Sequence, residues 1–200
     1  SLRERLEQAL PIAEELVAAR SDVAIYASTL SQASYQLGLI LEHLADDAAD
    51  RDSREILVEA ERHYRKAVNR QTSLVRRYPK AYGYQVWLSV FQIHLCRIEH
   101  QQRQLDQAHV LITRAIRGLE KLPAEYSDDD SVRRISARAY AQLGFILEDR
   151  GRRDRADMVR EIVDSLELPI ERGFPGFRRG RRLGVGPLPP EFFAPPPHLR

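Results

Sequence analysis

Apolar residues recur along most of this chain at the spacing of one helical face. Leu37, Ile40, Leu41 and Leu44 follow the 3, 4, 7 pattern, as do Val110, Leu111, Ala115 and Leu119, and again Leu143, Ile146 and Leu147. That period predicts amphipathic helices. No Asn-Gly or Asp-Gly turn sits between alternating runs, so hairpin strands are not expected. The breaks between helices are short and polar: Asp46 to Ser53, Tyr78-Pro79, Ser127 to Asp130, and Arg150-Gly151-Arg152. Asp129, Asp130 or Ser131 is placed to cap the helix that follows. The fold class is all-α.

Composition divides the chain in two. Residues 1–171 are rich in Leu, Ala, Arg and Glu. From Gly173 to Arg200, 5 glycines and 7 prolines fall within 28 residues, too many to sustain a helix or a strand ladder. Residues 172–200 therefore read as a flexible tail with polyproline character at Pro195-Pro196-Pro197. Its Arg178-Arg179-Gly180-Arg181-Arg182 cluster is a candidate for polyanions. With 31 basic and 29 acidic residues in 200, the net charge of +2 argues against a chain devoted to nucleic acid. No apolar run is long enough to cross a membrane. The single cysteine, Cys96, excludes an internal disulfide and a thiolate zinc site, and fits a reducing, cytoplasmic compartment.

The body repeats itself. Gln36-Leu37-Gly38-Leu39-Ile40-Leu41-Glu42 returns as Gln142-Leu143-Gly144-Phe145-Ile146-Leu147-Glu148, identical at six of seven positions. A copy between them lies 48 residues before the last: Leu95 pairs with Leu143, Tyr78 with Tyr126, Leu74 with Leu122, and Ala108 with Ala156. Between the first and middle copies the offset is 58 for Ala9 and Ala67, Leu16 and Leu74, Tyr26 and Tyr84, and Ile40 and Ile98. It returns to 48 for Ala60 and Ala108, Tyr64 and Ile112, and Ala67 and Ala115. One insertion of about 10 residues between Glu42 and Ala60 reconciles every pair. Small residues at Gly38, Cys96 and Gly144, facing Ala60, Ala108 and Ala156, let paired helices approach closely.

Within each copy the order of large residue, Leu-Gly, turn, Ala, aromatic and Ala resembles the tetratricopeptide repeat. Tyr140, Leu143, Gly144, Leu147, Gly151 and Ala156 carry it in the last copy. Leu95, Cys96, Ala108, Ile112 and Ala115 carry it in the middle one. In the first, Leu37, Gly38 and Leu41 are joined after the insertion by Ala60, Tyr64 and Ala67. The resemblance implies an α-solenoid of helical hairpins with repeats at about 22–73, 80–121 and 131–170, and residues 1–20 as the end of a preceding repeat. Leu2, Leu6 and Ala9 continue the register, with Pro11 expected to kink that helix. The chain thus reads as the C-terminal portion of a longer array. The 48-residue period and Arg160 at an apolar position depart from the motif. Leu-Val-Arg-Arg-Tyr-Pro at 74–79 and Leu-Asp-Gln-Ala at 105–108 resemble the arrays found C-terminal to bacterial serine/threonine kinase domains.

The resemblance also implies a concave face built by the first helix of each hairpin. Its ligand-facing positions fall on Gln32, Tyr35, Leu39 and His43, then Val90, Ile93, Arg97 and Gln101, then Arg138, Ala141, Phe145 and Asp149. None is Lys or Asn, so the family's Lys/Asn clamp for a terminal carboxylate is not expected. Gln32, Tyr35, Leu39, Arg97, Arg138 and Phe145 are the candidate partner-binding residues, with the aromatics and Leu39 as apolar anchors and the arginines receiving acidic groups. The function implied is a non-catalytic protein–protein interaction scaffold for a peptide or partner helix. The alternatives are a nucleic-acid-binding repeat using the basic tail, or an accessory domain of an enzyme.

Candidate chemistry is otherwise sparse. His94 and His100 are six apart, not the four of a helical metal pair, so no metal or other cofactor is expected. Cys96 sits at a close helix contact and reads as a structural thiol. Tyr78, Tyr82, Tyr84, Trp87 and Phe91 read as core. No phosphate-binding glycine loop and no Gly-x-Ser-x-Gly elbow is present, and no catalytic residue is assigned.

Overall fold

The structure, a computed structural model, describes residues 2–20, 23–127 and 129–166. The proposed tail at 172–200 and the domain end at 171 lie outside the described residues. Those residues form an all-α protein of eight helices: α1 (Leu2–Ala19), α2 (Ala24–Asp47), α3 (Asp50–Arg77), α4 (Tyr82–Gln101), α5 (Leu105–Glu120), α6 (Ala124–Ser127), α7 (Asp130–Asp149) and α8 (Arg153–Ser165). None is long and apolar enough to cross a membrane.

Consecutive helices pack as antiparallel pairs. Gly38 faces Tyr64 and Ser34 faces Arg70 across α2 and α3. Cys96 faces Ala108, and Ser89 faces Ala115, across α4 and α5. Gly144 faces Val159, and Arg133 reaches the Leu166 carbonyl, across α7 and α8. The pairs are laid side by side, α3 on α4 and α5 on α7, with α1 on α2 and α4 also touching α7. One core cluster runs through them from Leu10 to Ile146. Ala60, Ala108 and Ala156 are fully buried, as close helix approach requires.

The helix ends follow local chemistry. Asp129 caps α7, accepting from the backbone N–H of Ser131 at 2.7 Å and of Val132 at 3.3 Å. α4 and α7 close with the same double turn: Arg103 N bonds His100 O and Gln104 N bonds Glu99 O, while Gly151 N bonds Glu148 O and Arg152 N bonds Leu147 O. This turn needs a left-handed residue, supplied by Gly151 at φ 72° and by Arg103 at φ 64°. The two positions are 48 apart in the chain. A side chain there costs about 1–2 kcal/mol that glycine avoids.

Two features differ from the sequence reading. The insertion between Glu42 and Ala60 is not a loop. It lengthens α2 to 24 residues and α3 to 28, leaving Ala48-Ala49 as the link. Extra turns of helix satisfy the inserted backbone internally, where a loop of that length would not. Pro11 lies inside α1, which continues on both sides of it.

Candidate functional site

Three first helices, α2, α4 and α7, supply the residues in question. Along α2 and α4, Tyr35 stacks on Phe91 at a ring distance of 4.9 Å and meets Trp87, Tyr64 and His94 within 6.2 Å. Tyr35 is only 2% exposed. The expectation that it anchors a partner on an open face is therefore corrected: it is core. The aromatic character that marked it as an anchor is equally what a packed seam between helices demands.

Beneath Tyr35 lies a buried polar cluster. Arg97 donates through Nη2 to Glu42 Oε1 and Oε2 at 2.6 and 2.5 Å, and to His94 Nδ1 at 3.3 Å. Tyr64 donates its hydroxyl to Glu42 Oε2, and Tyr35 Oη stands 3.2 Å from His94 Nε2. Because Arg97 donates to Nδ1, the ring proton sits on Nε2, facing Tyr35. Burial by itself would push the Glu42 carboxyl up; the His94 ring, the Arg97 cation and the Tyr64 hydroxyl overcome it and hold the group at about 2. Burial drives His94 down to about 4 despite the nearby carboxylate, so it is neutral at pH 7. Burial likewise pushes the Cys96 thiol up, with Sγ bonded to the Ala108 carbonyl, so no thiolate forms there.

Between α4 and α7 the surface opens into a cleft of about 20 Å³, room for roughly one water. Val90, Ile93, His94 and Arg97 line it from α4, and Ile135, Arg138 and Gln142 from α7. Val90, Ile93 and Ile135 form an apolar wall, each less than a tenth exposed. Burial, together with the Arg134 and Arg97 cations, holds Arg138 below the usual guanidinium range against a smaller opposite pull from Tyr35.

A polar strut closes one end of this cleft. Gln142 Nε2 lies 3.1 Å from His100 Nδ1, His100 Nε2 lies 3.0 Å from Asp149 Oδ2, and Arg103 Nη1 donates to the same oxygen at 2.8 Å. With the carboxylate accepting at Nε2 and the amide donating to Nδ1, both ring nitrogens are engaged. The geometry makes His100 a tie between α4 and α7 rather than a free base. His94 and His100 face different surroundings, as their spacing predicts. Among the described residues no group of three or more His, Cys, Asp or Glu is arranged to hold a metal ion.

Of the candidate residues, Arg97 and Arg138 meet in the cleft, joined by Val90 and Ile93. Gln32, Leu39 and Phe145 are half-buried and lie outside its lining. Gln32 bonds Ser28 at 3.4 Å, and Leu39 packs on the core. Sequence reasoning missed Glu42, His94, Ile135 and Gln142 as members of the site. Glu42 and Gln142 both belong to the repeated heptapeptide, and Ile135 stands one turn before Arg138, so a signal for them was present. No family model, curated protein or solved structure matches this chain.

Proposed function

We propose that this chain is a non-catalytic protein-interaction module of the tetratricopeptide type, in which three helical hairpins present α2, α4 and α7 to an extended or helical segment of a partner. The observation that carries this reading is the α4–α7 cleft. It joins an apolar wall to two guanidinium groups, the combination of anchor pocket and orienting charge that protein recognition uses. Positions 90, 93, 97 and 138, which the repeat resemblance assigns to a ligand face, are the ones that line it. A role within a bacterial signalling protein rests on the sequence resemblance at 74–79 and 105–108.

Random-peptide display against the chain tests the proposal. The expected outcome is a set of binders that an Arg138→Ala, Phe145→Ala double variant loses by about tenfold or more, roughly 1.4 kcal/mol, while its circular dichroism is unchanged. Binders retained in full by that variant would move the interaction to another face. An absence of binders would count against the interaction reading itself.

A further inference from the structure

The interaction reading leaves the partner's chemistry open, and the charge balance of the cleft addresses it. We infer that the α4–α7 cleft receives a carboxylate carried beside a branched aliphatic group, that is, an Asp or Glu side chain adjoining Val, Leu or Ile in an acidic partner peptide. This rests on the proposed interaction function and specifies the partner for the same site.

Three guanidinium groups, Arg97, Arg134 and Arg138, gather at this point, near enough for their cations to act on one another. The carboxylate set against them is Glu42, and both its oxygens are already engaged by Arg97, one of them also by Tyr64. His94, neutral at pH 7, adds no compensating charge. Positive charge is thus in excess beside an apolar wall, where an arriving anion is poorly screened and its hydrogen bonds are strengthened. Arg97 also carries a buried Nε–H with no acceptor. Leaving such a donor unmatched costs about 1–3 kcal/mol, which an added acceptor recovers. Size selects among anions. A space for roughly one water admits the flat tip of a carboxylate, whose two oxygens match the guanidinium fork, and not a ring or a tetrahedral phosphate. Val90, Ile93 and Ile135 then cover the aliphatic group next to it.

The test is a methyl-detected NMR titration of the full chain with 4-methylpentanoate, with 4-methylpentanamide and with inorganic phosphate. The expected result is saturable shifts of the Val90, Ile93 and Ile135 methyls with the acid, and at least about tenfold weaker binding of the amide, the scale of a charge-assisted hydrogen bond. Arg138→Gln should weaken the acid by about tenfold. The exposed Arg134→Gln, which leaves the buried cluster untouched, should weaken it by roughly twofold and more so at low salt. Equal binding of acid and amide would overturn the inference. So would phosphate acting at lower concentration than the acid, which would favour a nucleic-acid partner. Displayed peptides that bind but carry no acidic residue would sink the carboxylate assignment and leave the interaction reading standing. Acid binding without any peptide binder would do the reverse.

Discussion

Gln36–Glu42 in α2 and Gln142–Glu148 in α7 differ at one residue of seven, yet the structure puts them to different use. In the first hairpin a Cβ on Gly38 would stand 2.7 Å from the Tyr64 ring. In the last, the nearest atom to a Cβ on Gly144 is 3.8 Å away on Val159. Glu42 is buried among Tyr64, His94 and Arg97, whereas Glu148 is half-exposed and pairs with Arg160. The residue opposite decides. Tyr64 and Arg160 hold the same place in the repeat, 96 residues apart. Tyr64 fills the seam up to the glycine and donates to the glutamate; Arg160 turns outward and neutralises its glutamate at the surface. Where the motif's large apolar residue becomes arginine, the hairpin acquires a polar outer side, and in α8 only Ala156 and Val159 are buried. A polar outer side is what an end unit of a helical stack requires.

The sharpest way to break this comparison is to neutralise each glutamate. Glu42→Gln leaves Arg97 with its charge buried and uncompensated, which should cost about 3–5 kcal/mol. Glu148→Gln removes an exposed pair and should cost at most about 1 kcal/mol. Urea unfolding of the two variants measures the contrast, and equal losses would mean that the buried cluster contributes no more than the surface pair.

Adding one methyl group probes the glycines. Gly38→Ala should destabilise by about 1–3 kcal/mol, because Tyr64 is held from both sides and cannot yield. Gly144→Ala meets open space and should be neutral or stabilising by up to about 1 kcal/mol, the gain in helix propensity. Thermal unfolding decides it; matching behaviour of the two would show that the seam at Tyr64 adapts.

Acid titration gives the smallest step per measurement. His94 titrates at about 4 in the fold against 6.5 for the free side chain, so the unfolded chain binds the extra proton between these values. Stability should therefore fall as pH drops from 6.5 to 4, by up to about 1.4 kcal/mol per unit. Glu42, at about 2 against 4.5, extends the loss from 4.5 down to 2. His94→Gln should flatten the upper window and leave the lower one. A profile between 6.5 and 4.5 unchanged by that substitution would assign the acid sensitivity elsewhere.

Much of the fold was legible because helix formation is local. The period at 37–44 and at 143–147, the cap at Asp129, and the breaks at Tyr78-Pro79 and Gly151 are written in neighbouring residues, and all reappear in the structure. The close contacts at Gly38 and Cys96 were legible too, because a repeat exposes small residues in register. The candidate site was half legible. Arg97, Arg138, Val90 and Ile93 fell where the repeat placed them, while Tyr35 did not. Position within a repeat says which helix face a residue shares. It does not say how far the next helix slides across that face.

Sequence alone determined the helices, their ends, their pairing by small residues and the near balance of charge, since each follows from spacing and side-chain size within one or two turns. Tertiary structure alone decided that Tyr35 is sealed beneath α4, that Glu42 and Glu148 part company, and that Arg97 and Arg138 converge on one cleft. Burial and charge coupling depend on which helix lies opposite, and that is set by packing between segments tens of residues apart.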